Sequence, residues 1–457
     1  MYMKKKEKTI AALATPQGKG ALSVFRISGE EAFTVFEKIV GEKKRFREQA
    51  ERTILLYTVR DENTGIIDEV TAIKYMAPRS FTGEDMVEII CHGGPVIIKL
   101  LGEHILKNGA VGASPGEFTR RAFCNGKMDL LKAEAIKGLI DCNNSAQFES
   151  AKRAYSGKSR ENLEVFKKEI LEIVTAIESK IEFGEEDSVR EDSQSNILPA
   201  LESILQRLEI ESTRAQGVKT FEQGVSVLLA GPVNAGKSSL FNKLLGYDRA
   251  IVHNRAGTTR DSISETVIID GNVVRITDSA GMRETEDEIE KMGIERTWQE
   301  IKESNIVIWV TSAENKFGKQ EIEIVERAGK NRFVVLNKID LGDQHNKEQT
   351  LREHGINCVT ASTKEGENIG HVQNKLKGTI QEMVADIQIP DFITTERHHH
   401  IVKVIVENIE LAKENLAREE ITAYYLKQGL QSIEEILGYT GSQEVLNTIF
   451  DKFCIGK

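Results

Sequence analysis

The strongest constraint on the fold of this 457-residue chain is one octapeptide, Gly231-Pro-Val-Asn-Ala-Gly-Lys-Ser. It fits the pattern G-x-x-x-x-G-K-[ST] and lies between the apolar run Val225–Ala230 and a helix-forming run at 239–245. In a strand, loop and helix of this kind, backbone N–H groups wrap phosphates, Lys237 reaches their oxygens and Ser238 ligates Mg²⁺. The octapeptide therefore predicts a nucleotide site in an α/β domain. A plain glycine-rich turn is the alternative, which the flanking strand and helix disfavour.

The pattern of apolar, charged and glycine residues changes three times along the chain. The first 125 residues read as short strands separated by glycine-rich turns, which is typical of a compact α/β domain. Residues 145–183 contain no proline and one glycine, and the charged stretch 184–196 separates them from a second expected helix over 198–215. Core positions of the first helical region are expected at Val165, Ile170, Ile173, Val174 and Ile177.

Strand-like and helix-like runs alternate from 225 to 383, which indicates βαβ units and a mostly parallel sheet. After Pro390 the chain is again helical. We therefore predict an α/β plus all-α fold, in which a Ras-like P-loop domain is inserted into a helical domain that follows an N-terminal α/β domain. The expected bounds are 1–125 for the N-terminal domain, 126–217 and 387–457 for the two helical parts, and 218–386 for the P-loop domain.

Charge and cysteine usage restrict the function classes. The formal net charge of -10 argues against a broad non-specific grip on nucleic acid, which leaves a small local patch or a partner protein for any RNA substrate. The five cysteines are scattered without a CxxC pair, which favours reduced thiols over disulfides or a zinc site. No apolar run is long enough to span a membrane, and the basic start lacks a signal-peptide apolar core, so we expect a cytoplasmic protein.

Four further motifs follow the P-loop in an order that specifies the nucleotide. Asp278-Ser-Ala-Gly281 ends a strand, where a carboxylate lies near the Mg²⁺ position. Asn337-Lys338-Ile-Asp340 follows a buried strand and is the N-K-x-D pattern, in which the aspartate accepts from the ring N–H and amine of guanine. Thr360-Ala361-Ser362 matches the short fifth motif of GTPases only in part. The polar loop 256–261, with Thr259 completing the Mg²⁺ shell, is suited to switch I, although a plain turn is the alternative for that loop.

The hydrolytic machinery is less obvious from these residues alone. Met282 stands where Ras-like switches carry a water-orienting glutamine, and no arginine finger is fixed by the sequence, although Arg260 and Arg283 flank the switches. Asn234 and the acidic run 284–290 are the local candidates for replacing these groups.

The chain as a whole closely resembles the tRNA modification GTPases of the MnmE or TrmE family. The resemblance rests on the P-loop, on Ala-Gly-Thr-Thr-Arg-Asp at 256–261, and on Gly-Met-Arg-Glu at 281–284. Outside the P-loop domain it rests on Arg26-Ile-Ser-Gly, Ser80-Phe-Thr-Gly-Glu-Asp, Cys91-His-Gly-Gly-Pro, Pro115-Gly-Glu-Phe-Thr-Arg-Arg-Ala-Phe and Phe453-Cys-Ile-Gly-Lys. The last of these is the most diagnostic, because no packing requirement is expected at an exposed end.

The resemblance implies a GTP site with Mg²⁺ and K⁺, where K⁺ replaces an arginine finger. Glu290 is implied as the water-orienting acid and Lys237 as its catalytic partner at the phosphates. Metal ligands are implied at Ser238 and Thr259 for Mg²⁺, and at Asn234, His253, Arg255 and Thr258 for K⁺, with Arg255 a departure that could compete with the ion. The expected nucleotide contacts are Asn234, Ala235, Gly236, Lys237, Ser238, Ser239, Thr258, Thr259, Asp278, Gly281, Asn337, Lys338, Asp340, Thr360, Ala361 and Ser362.

The resemblance also implies that the N-terminal domain binds a tetrahydrofolate and forms a homodimer. The folate would be a 5-formyl or 5,10-methylene form, held by Arg26, Glu88, Lys127 and Lys457. Cys454 could take part in the chemistry, and a buried, inert thiol is the alternative for this residue. With a MnmG or GidA-type partner that carries FAD, in a heterotetramer, the protein would install an aminomethyl-type group on C5 of the wobble uridine of certain tRNAs. A G-x-G-x-x-G fingerprint for flavin is absent from the sequence, which agrees with FAD on the partner.

Two other classes of GTPase share the nucleotide motifs. A ribosome-assembly switch would carry a basic RNA-binding module, and a dynamin-like membrane GTPase would carry an amphipathic or basic membrane element. Neither is evident in the sequence. The remaining cysteines, at 91, 124, 142 and 358, are expected in the core, and the internal run His398-His-His lacks the spacing of a metal site.

Overall fold

A computed structural model describes residues 7–61, 65–183, 190–221, 224–246, 263–279, 298–314, 318–341, 345–440 and 443–457. These residues form two compact units. The first contains the chain up to Ile140, Lys152–Glu209 and Asp391–Lys457, and the second contains Asp141–Ala151 and Ile210–Pro390.

The first unit begins with a six-stranded sheet in the order β3-β4-β5-β2-β1-β6, in which all neighbours are antiparallel except β1 and β6. Its strands are β1 Ile10–Leu13, β2 Leu22–Ser28, β3 Ile54–Asp61, β4 Gly65–Tyr75, β5 Met86–His92 and β6 Val111–Gly112. Its helices are α1 Ala32–Val40, α2 Lys43–Glu48, α3 Pro95–Lys107 and α4 Glu117–Cys124.

One face of this sheet is a closed apolar core and the other face is largely open. Phe25, Ile27, Val70 and Ile89 point to the face covered by α1 and α3, where they are buried. Because side chains alternate along a strand, the intervening residues of β2 and β5, Arg26 and Glu88 among them, lie on the opposite face. That alternation places the charged pair away from the core.

Further helices complete the first unit, and segments of some of them belong to the second unit. They are α5 Leu130–Asp141, α6 Ser145–Tyr155, α7 Lys158–Phe183, α8 Arg190–Lys219, α13 Glu396–Glu414, α14 Glu419–Leu437 and α15 Gln443–Phe450. The helices numbered between α8 and α13 lie in the second unit and are described with it. The helical texture after residue 129 and after Pro390 is confirmed. Within the described residues, no helix is long and apolar enough to cross a membrane.

Two local predictions about these helices are wrong. The second helix begins at Arg190 rather than near Leu198, because the charged residues before Leu198 are compatible with a helix. The helix also contains Pro199. Val165 is exposed, whereas Ile170, Ile173, Val174 and Ile177 are buried as expected. Val165 lies only five residues from Ile170, a separation that places the two side chains on different sides of a helix.

A buried ionic cluster ties three helices of the first unit together. The Glu134 carboxylate on α5 accepts from Arg397 through Nε at 2.9 Å and Nη2 at 2.8 Å, and it contacts His398 Nε2 at 2.8 Å. Arg397 also donates to the carbonyl of Glu435 on α14. Burial opposes the carboxylate charge, but His398 and Arg397 outweigh it and lower the pKa of Glu134 to about 2. This cluster fixes α5 against α13 and α14.

Replacement of Glu134 by Gln should lower the free energy of unfolding by about 3 kcal/mol, because it leaves the buried His398 and the partly buried Arg397 guanidinium without their carboxylate partner. Since the native pKa of Glu134 lies below its ordinary 4.5, this stabilisation is complete above that ordinary value and is lost as the pH falls towards 2. Urea unfolding followed by circular dichroism at neutral pH and in that acid range measures both effects.

Glu178→Gln is the matched control, because Glu178 pairs with Lys427 at the exposed surface of the same unit. It should cost less than about 1 kcal/mol. Equal destabilisation by the two substitutions would contradict a special role for the buried cluster.

The second unit contains a six-stranded sheet in the order β12-β11-β10-β7-β9-β8. Its strands are β7 Val225–Ala230, β8 Ile263–Ile269, β9 Asn272–Asp278, β10 Ile306–Ser312, β11 Arg332–Asn337 and β12 Cys358–Thr360. Its own helices are α9 Lys237–Leu245, α10 Lys319–Arg327, α11 His345–Glu353 and α12 Ile369–Ala385. All strand pairs are parallel except β8 with β9, which confirms the predicted, mostly parallel sheet.

Each face of this sheet packs on helices. Leu240 of α9 and Val372 of α12 are buried on one face, and Ile322 of α10 and Leu351 of α11 are buried on the other. This doubly wound arrangement brings the carboxyl ends of β7, β9, β10, β11 and β12 to one edge. The predicted fold class, a P-loop α/β domain together with helices and an N-terminal α/β domain, is therefore confirmed.

Candidate functional site

The P-loop follows β7 and leads into α9, as the octapeptide predicts. Gly231 has a φ of 138°, and a Cβ at this position would collide with the carbonyl oxygen of Val310 on the neighbouring strand. Only glycine allows that approach. Asn234, at the exposed tip of the loop, adopts a left-handed φ of 60°. The backbone therefore curves back on itself before Lys237 begins the helix.

Two side chains of the loop are fixed by neighbouring groups. The Lys237 ammonium is buried and donates to the carbonyls of Gly231 at 2.7 Å and Pro232 at 2.9 Å, which holds it inside the loop. The Ser238 hydroxyl donates to Asp278 at 2.7 Å, at the end of β9. A serine hydroxyl beside a buried carboxylate supplies hard oxygen ligands, so the pair fits Mg²⁺.

A buried carboxamide links the P-loop to two other loops at the same sheet edge. Asn337 Nδ2 donates to the Ala235 carbonyl at 2.8 Å and to Thr363 Oγ1 at 3.1 Å, while its Oδ1 accepts from the Thr363 N–H at 3.0 Å. All hydrogen-bonding positions of the amide except one lone pair are used within the protein. Thr363 was not among the predicted site residues, because nothing in the sequence joins it to a residue 26 positions earlier.

The exposed Asp340 is oriented by the loop after β12. Ser362 Oγ donates to Asp340 Oδ1 at 2.6 Å, and this hydrogen bond is the main reason why the pKa of Asp340 is lowered. The backbone N–H of Asp340 itself and the nearby charges of Lys364 and Lys338 lower this pKa further. A charged, oriented carboxylate can accept two donors from one edge of a purine.

The other predicted nucleotide contacts divide into two groups. Ser239, Lys338, Thr360 and Ala361 lie at this sheet edge, with Ala361 buried and its N–H bonded to the Leu336 carbonyl. Predicted residues that lie outside the described part of the chain are His253, Arg255, Thr258, Thr259, Gly281 and Glu290. Their roles stay predictions.

Replacement of Asp340 by Asn should weaken GTP binding by a factor of about 100, because one charge-assisted acceptor becomes a donor that faces the guanine amine. Xanthosine triphosphate carries a carbonyl in place of that amine and should gain affinity. Fluorescence titrations with both nucleotides measure the exchange. Asp386→Asn, at the exposed C-terminal end of α12, is the control and should change neither affinity. Unchanged GTP affinity in Asp340→Asn would contradict the assignment of the base site.

The N-terminal sheet presents a second cluster on its open face. Arg26 on β2 stands opposite Glu88 on β5, and Arg26 Nε donates to Glu88 Oε1 at 2.8 Å. The Tyr75 hydroxyl on β4 donates to the other oxygen of Glu88 at 3.1 Å. Tyr75 was missed, because a tyrosine on a strand carries no motif. The carboxylate is thereby oriented by two neighbouring strands.

The C-terminal residues lie beside this cluster, and they are not an exposed end. Phe453 is buried with Leu130 and Phe450, and Gly456 is buried against the backbone of Leu13 and Ala14, where a Cβ would not fit. Packing therefore does restrict these residues, contrary to the prediction. Burial, together with the nearby charge of Arg26, lowers the pKa of Lys457.

The remaining candidates in the first unit are Lys127 and Cys454. Lys127 is exposed, donates to the Pro78 carbonyl at 2.8 Å and runs alongside Gly83. Cys454 is exposed, and its carbonyl accepts from the N–H of Gly116. The structure therefore places Lys127 beside the loop over residues 78–83, and Cys454 lies close enough to Lys457 to act on its pKa.

The other cysteines and the histidine run have structural surroundings. Cys91 is buried, and burial raises the pKa of its thiol to about 11. Cys142 and Cys358 are partly buried, but Cys124 is exposed, so the prediction of a core thiol at 124 is wrong. His398 belongs to the Glu134 cluster. In the described ranges, no group of three or more His, Cys, Asp or Glu is arranged to hold a metal ion.

Comparison with known proteins covers nearly the whole chain. The family model described as GTP-binding protein TrmE N-terminus matches residues 9–127, and the model described as MnmE helical domain matches residues 130–454. The chain is 35% identical to the tRNA modification GTPase MnmE of Thermotoga maritima over 456 residues, which is 98% of this chain and 100% of that protein.

Two further relatives carry the same description. Identity is 36% to the protein of Acetivibrio thermocellus, over 99% of this chain and 100% of that one. It is 34% to the protein of Aquifex aeolicus, over 98% of this chain and 99% of that one.

Proposed function

This chain belongs to the MnmE family of tRNA modification GTPases and is a GTP-hydrolysing enzyme, and we propose that it acts on C5 of the wobble uridine of certain tRNAs. The observation that carries the proposal is the alignment of nearly the whole chain with these relatives. The Asp340–Ser362 pair of the nucleotide site and the Arg26–Glu88 pair of the N-terminal sheet agree with it. The group installed would be of the aminomethyl or carboxymethylaminomethyl type.

For the nucleotide site we assign roles to this chain's own residues. The Ser238 hydroxyl and Asp278 would hold Mg²⁺, which neutralises phosphate charge, and Lys237 would turn from the loop carbonyls to the phosphates. Asp340 would accept from guanine, and Ser362 keeps its carboxylate in place. Thr259 would complete the Mg²⁺ shell, Gly281 would contact the γ-phosphate side, and Glu290 would orient the attacking water.

We assign K⁺ as the positive charge that replaces an arginine finger. Asn234 supports this assignment, because its left-handed backbone places an exposed side-chain amide at the tip of the P-loop, where its oxygen can serve as a ligand. His253, Arg255 and Thr258 would complete the site through their loop, mainly with backbone oxygens.

GTP hydrolysis should therefore be faster in K⁺ than in Na⁺ at equal ionic strength, and Asn234→Ala should abolish the difference, because one ligand of the larger ion is lost. Phosphate release measured in the two salts tests this. Asn242→Ala, on the exposed side of α9, is the control and should keep the preference. Equal rates of the unsubstituted enzyme in both salts would remove K⁺ from the mechanism.

We assign the open-face cluster as a tetrahydrofolate site for a 5-formyl or 5,10-methylene one-carbon unit. Two cations, Arg26 and Lys457, lie close enough for the charge of one to lower the pKa of the other, so an anionic ligand would relieve their repulsion. The glutamate of a folate is such an anion. Glu88, held by Tyr75, can accept from the amidine edge of a pterin. Lys127 would reach the ligand from the neighbouring loop, and Cys454 would lie within reach of the chemistry.

We further propose a cytoplasmic homodimer that works on tRNA with an FAD-carrying partner of the MnmG or GidA type, in a heterotetramer. The open face of the N-terminal sheet supports the homodimer, because Leu22, Ile54 and Leu56 are 62%, 59% and 51% exposed there. Ile54 and Leu56 adjoin each other on that face of β3, and exposed apolar side chains that adjoin one another are typical of a protein contact surface. In this proposal the chain binds the folate and GTP, and the partner binds the flavin.

Cells that lack the gene should lose the C5 substituent on wobble uridines, because the proposed site that delivers the one-carbon unit would be lost. Nucleoside analysis of total tRNA by mass spectrometry measures this, and re-expression of the unsubstituted chain should restore the modified nucleoside. Re-expression of Asp386→Asn should restore it equally, because Asp386 lies outside the proposed nucleotide and folate contacts. A full complement of modified uridines in the deleted strain would refute the proposed function.

A further inference from the structure

We propose that Arg121 is the positioning residue of the folate site, acting through the loop Ser80–Asp85, which we call the wall loop. This inference rests on the proposed folate function and adds to it a residue that need not touch the ligand. The wall loop lies between two of the proposed folate contacts, and Arg121 holds it from the protein interior.

The wall loop touches both Arg26 and Lys127. The Arg26 guanidinium carbon lies 5.2 Å from the centre of the Phe81 ring, in a cation–π arrangement. The aliphatic part of Lys127 packs beside Gly83. The position of the loop therefore sets the distance and direction of two cationic side chains and places an aromatic ring next to the cluster.

Arg121 on α4 binds the wall loop through one amino group of its guanidinium, Nη1, and binds other parts of the domain through the second, Nη2. It is 2% exposed, and its Nη1 donates to the two carboxylate oxygens of Glu84 at 3.3 and 3.0 Å. Its Nη2 donates to Glu117 at 2.8 Å and to the Lys8 carbonyl at 2.8 Å. A planar fork that serves the loop, its own helix and the N-terminal backbone at once cannot be reproduced by the single ammonium of lysine.

The middle of the wall loop and Glu84 are also held by hydroxyl groups with no exposed surface. Ser28 Oγ on β2 lies 2.7 Å from Thr82 Oγ1 and donates to Glu84 Oε2 at 2.8 Å. Asn125 donates to the Thr82 carbonyl at 2.8 Å. Ser28 follows Arg26 by two residues on the same strand, so the loop is attached to the strand that carries the ligand contact.

This network has the form of a preorganised support and not of a ligand site. Glu84 receives hydrogen bonds from Arg121 and from Ser28, so its carboxylate is committed to the protein. Preorganisation matters because a displacement of about 1 Å in a binding group can cost as much as a hundredfold in activity. Loss of the fork would let the wall loop move while the fold, which rests on the apolar core, is kept.

Arg121→Lys in the full chain should therefore weaken binding of 5-formyltetrahydrofolate by about tenfold or more, with little change in GTP hydrolysis, which depends on the other compact unit. Isothermal titration calorimetry measures the affinity, and thermal melting monitors the fold. Arg397→Lys is the matched control, since it breaks a comparable fork at Glu134, away from the wall loop. The control should lower the melting temperature and leave the folate affinity unchanged.

A double-mutant cycle separates positioning from general destabilisation. If Arg121 acts through the wall loop, Phe81→Ala should also weaken folate binding. The variant that carries both Arg121→Lys and Phe81→Ala should then bind little less tightly than whichever single variant has the lower affinity. Additive losses, or wild-type affinity in a folded Arg121→Lys, would overturn the inference. If Arg121→Lys does not fold, Glu84→Gln breaks the same contact from the loop side and takes its place in the cycle.

The outcome also distinguishes this inference from the folate assignment itself. If the unsubstituted chain does not bind 5-formyltetrahydrofolate, the proposed folate site fails, and the role of Arg121 fails with it. If the unsubstituted chain binds it and the Arg121 and Glu84 variants bind it equally well, only the positioning role fails.

Discussion

The nucleotide site depends on one buried side chain, the carboxamide of Asn337. It joins the P-loop at Ala235 to the loop that contains Thr363, so that the phosphate-binding and base-binding segments form one unit. Because the amide is fully buried and almost fully bonded, its loss would leave unsatisfied polar groups on both loops. The distance between the phosphate cradle and Asp340 is therefore set before any ligand arrives.

The N-terminal domain uses the same principle with charge instead of an amide. A buried guanidinium at Arg121 connects a loop, a helix and the N-terminal backbone, and the open sheet face carries the Arg26–Glu88 pair beside Lys457. Packing of Phe453 and Gly456 brings the last residues of the chain to that face. Four of the five family motifs outside the P-loop domain thus belong to one arrangement, because they meet around the wall loop and the C-terminal residues, whereas Cys91-His-Gly-Gly-Pro has no part in it.

Local patterns in the sequence were sufficient for the fold class, the P-loop and the pairing of Ser238 with Asp278 at one sheet edge, because strand, loop and helix follow each other directly there. Long-range contacts were not predictable. Thr363, Tyr75 and Arg121 act through residues 26, 13 and 37 positions away, and no short motif records such a pairing. The charged run before Leu198 was wrongly predicted to lie outside the helix. Its residues from Arg190 onward belong to α8, because glutamate, arginine and glutamine are good helix formers. The exposure of Cys124 and the burial of Phe453 depend on tertiary packing, which periodicity does not capture.

We propose that the charged Asp340 carboxylate, oriented by Ser362, makes this enzyme select guanine. The most direct measurement is competition for the nucleotide site by GTP, ITP and ATP against a fluorescent guanine nucleotide. ITP keeps the ring N–H and lacks the amine, and ATP lacks both as donors in that arrangement, so affinity should fall in the order GTP, ITP, ATP. Displacement by ATP at the same concentration as GTP would contradict the claim.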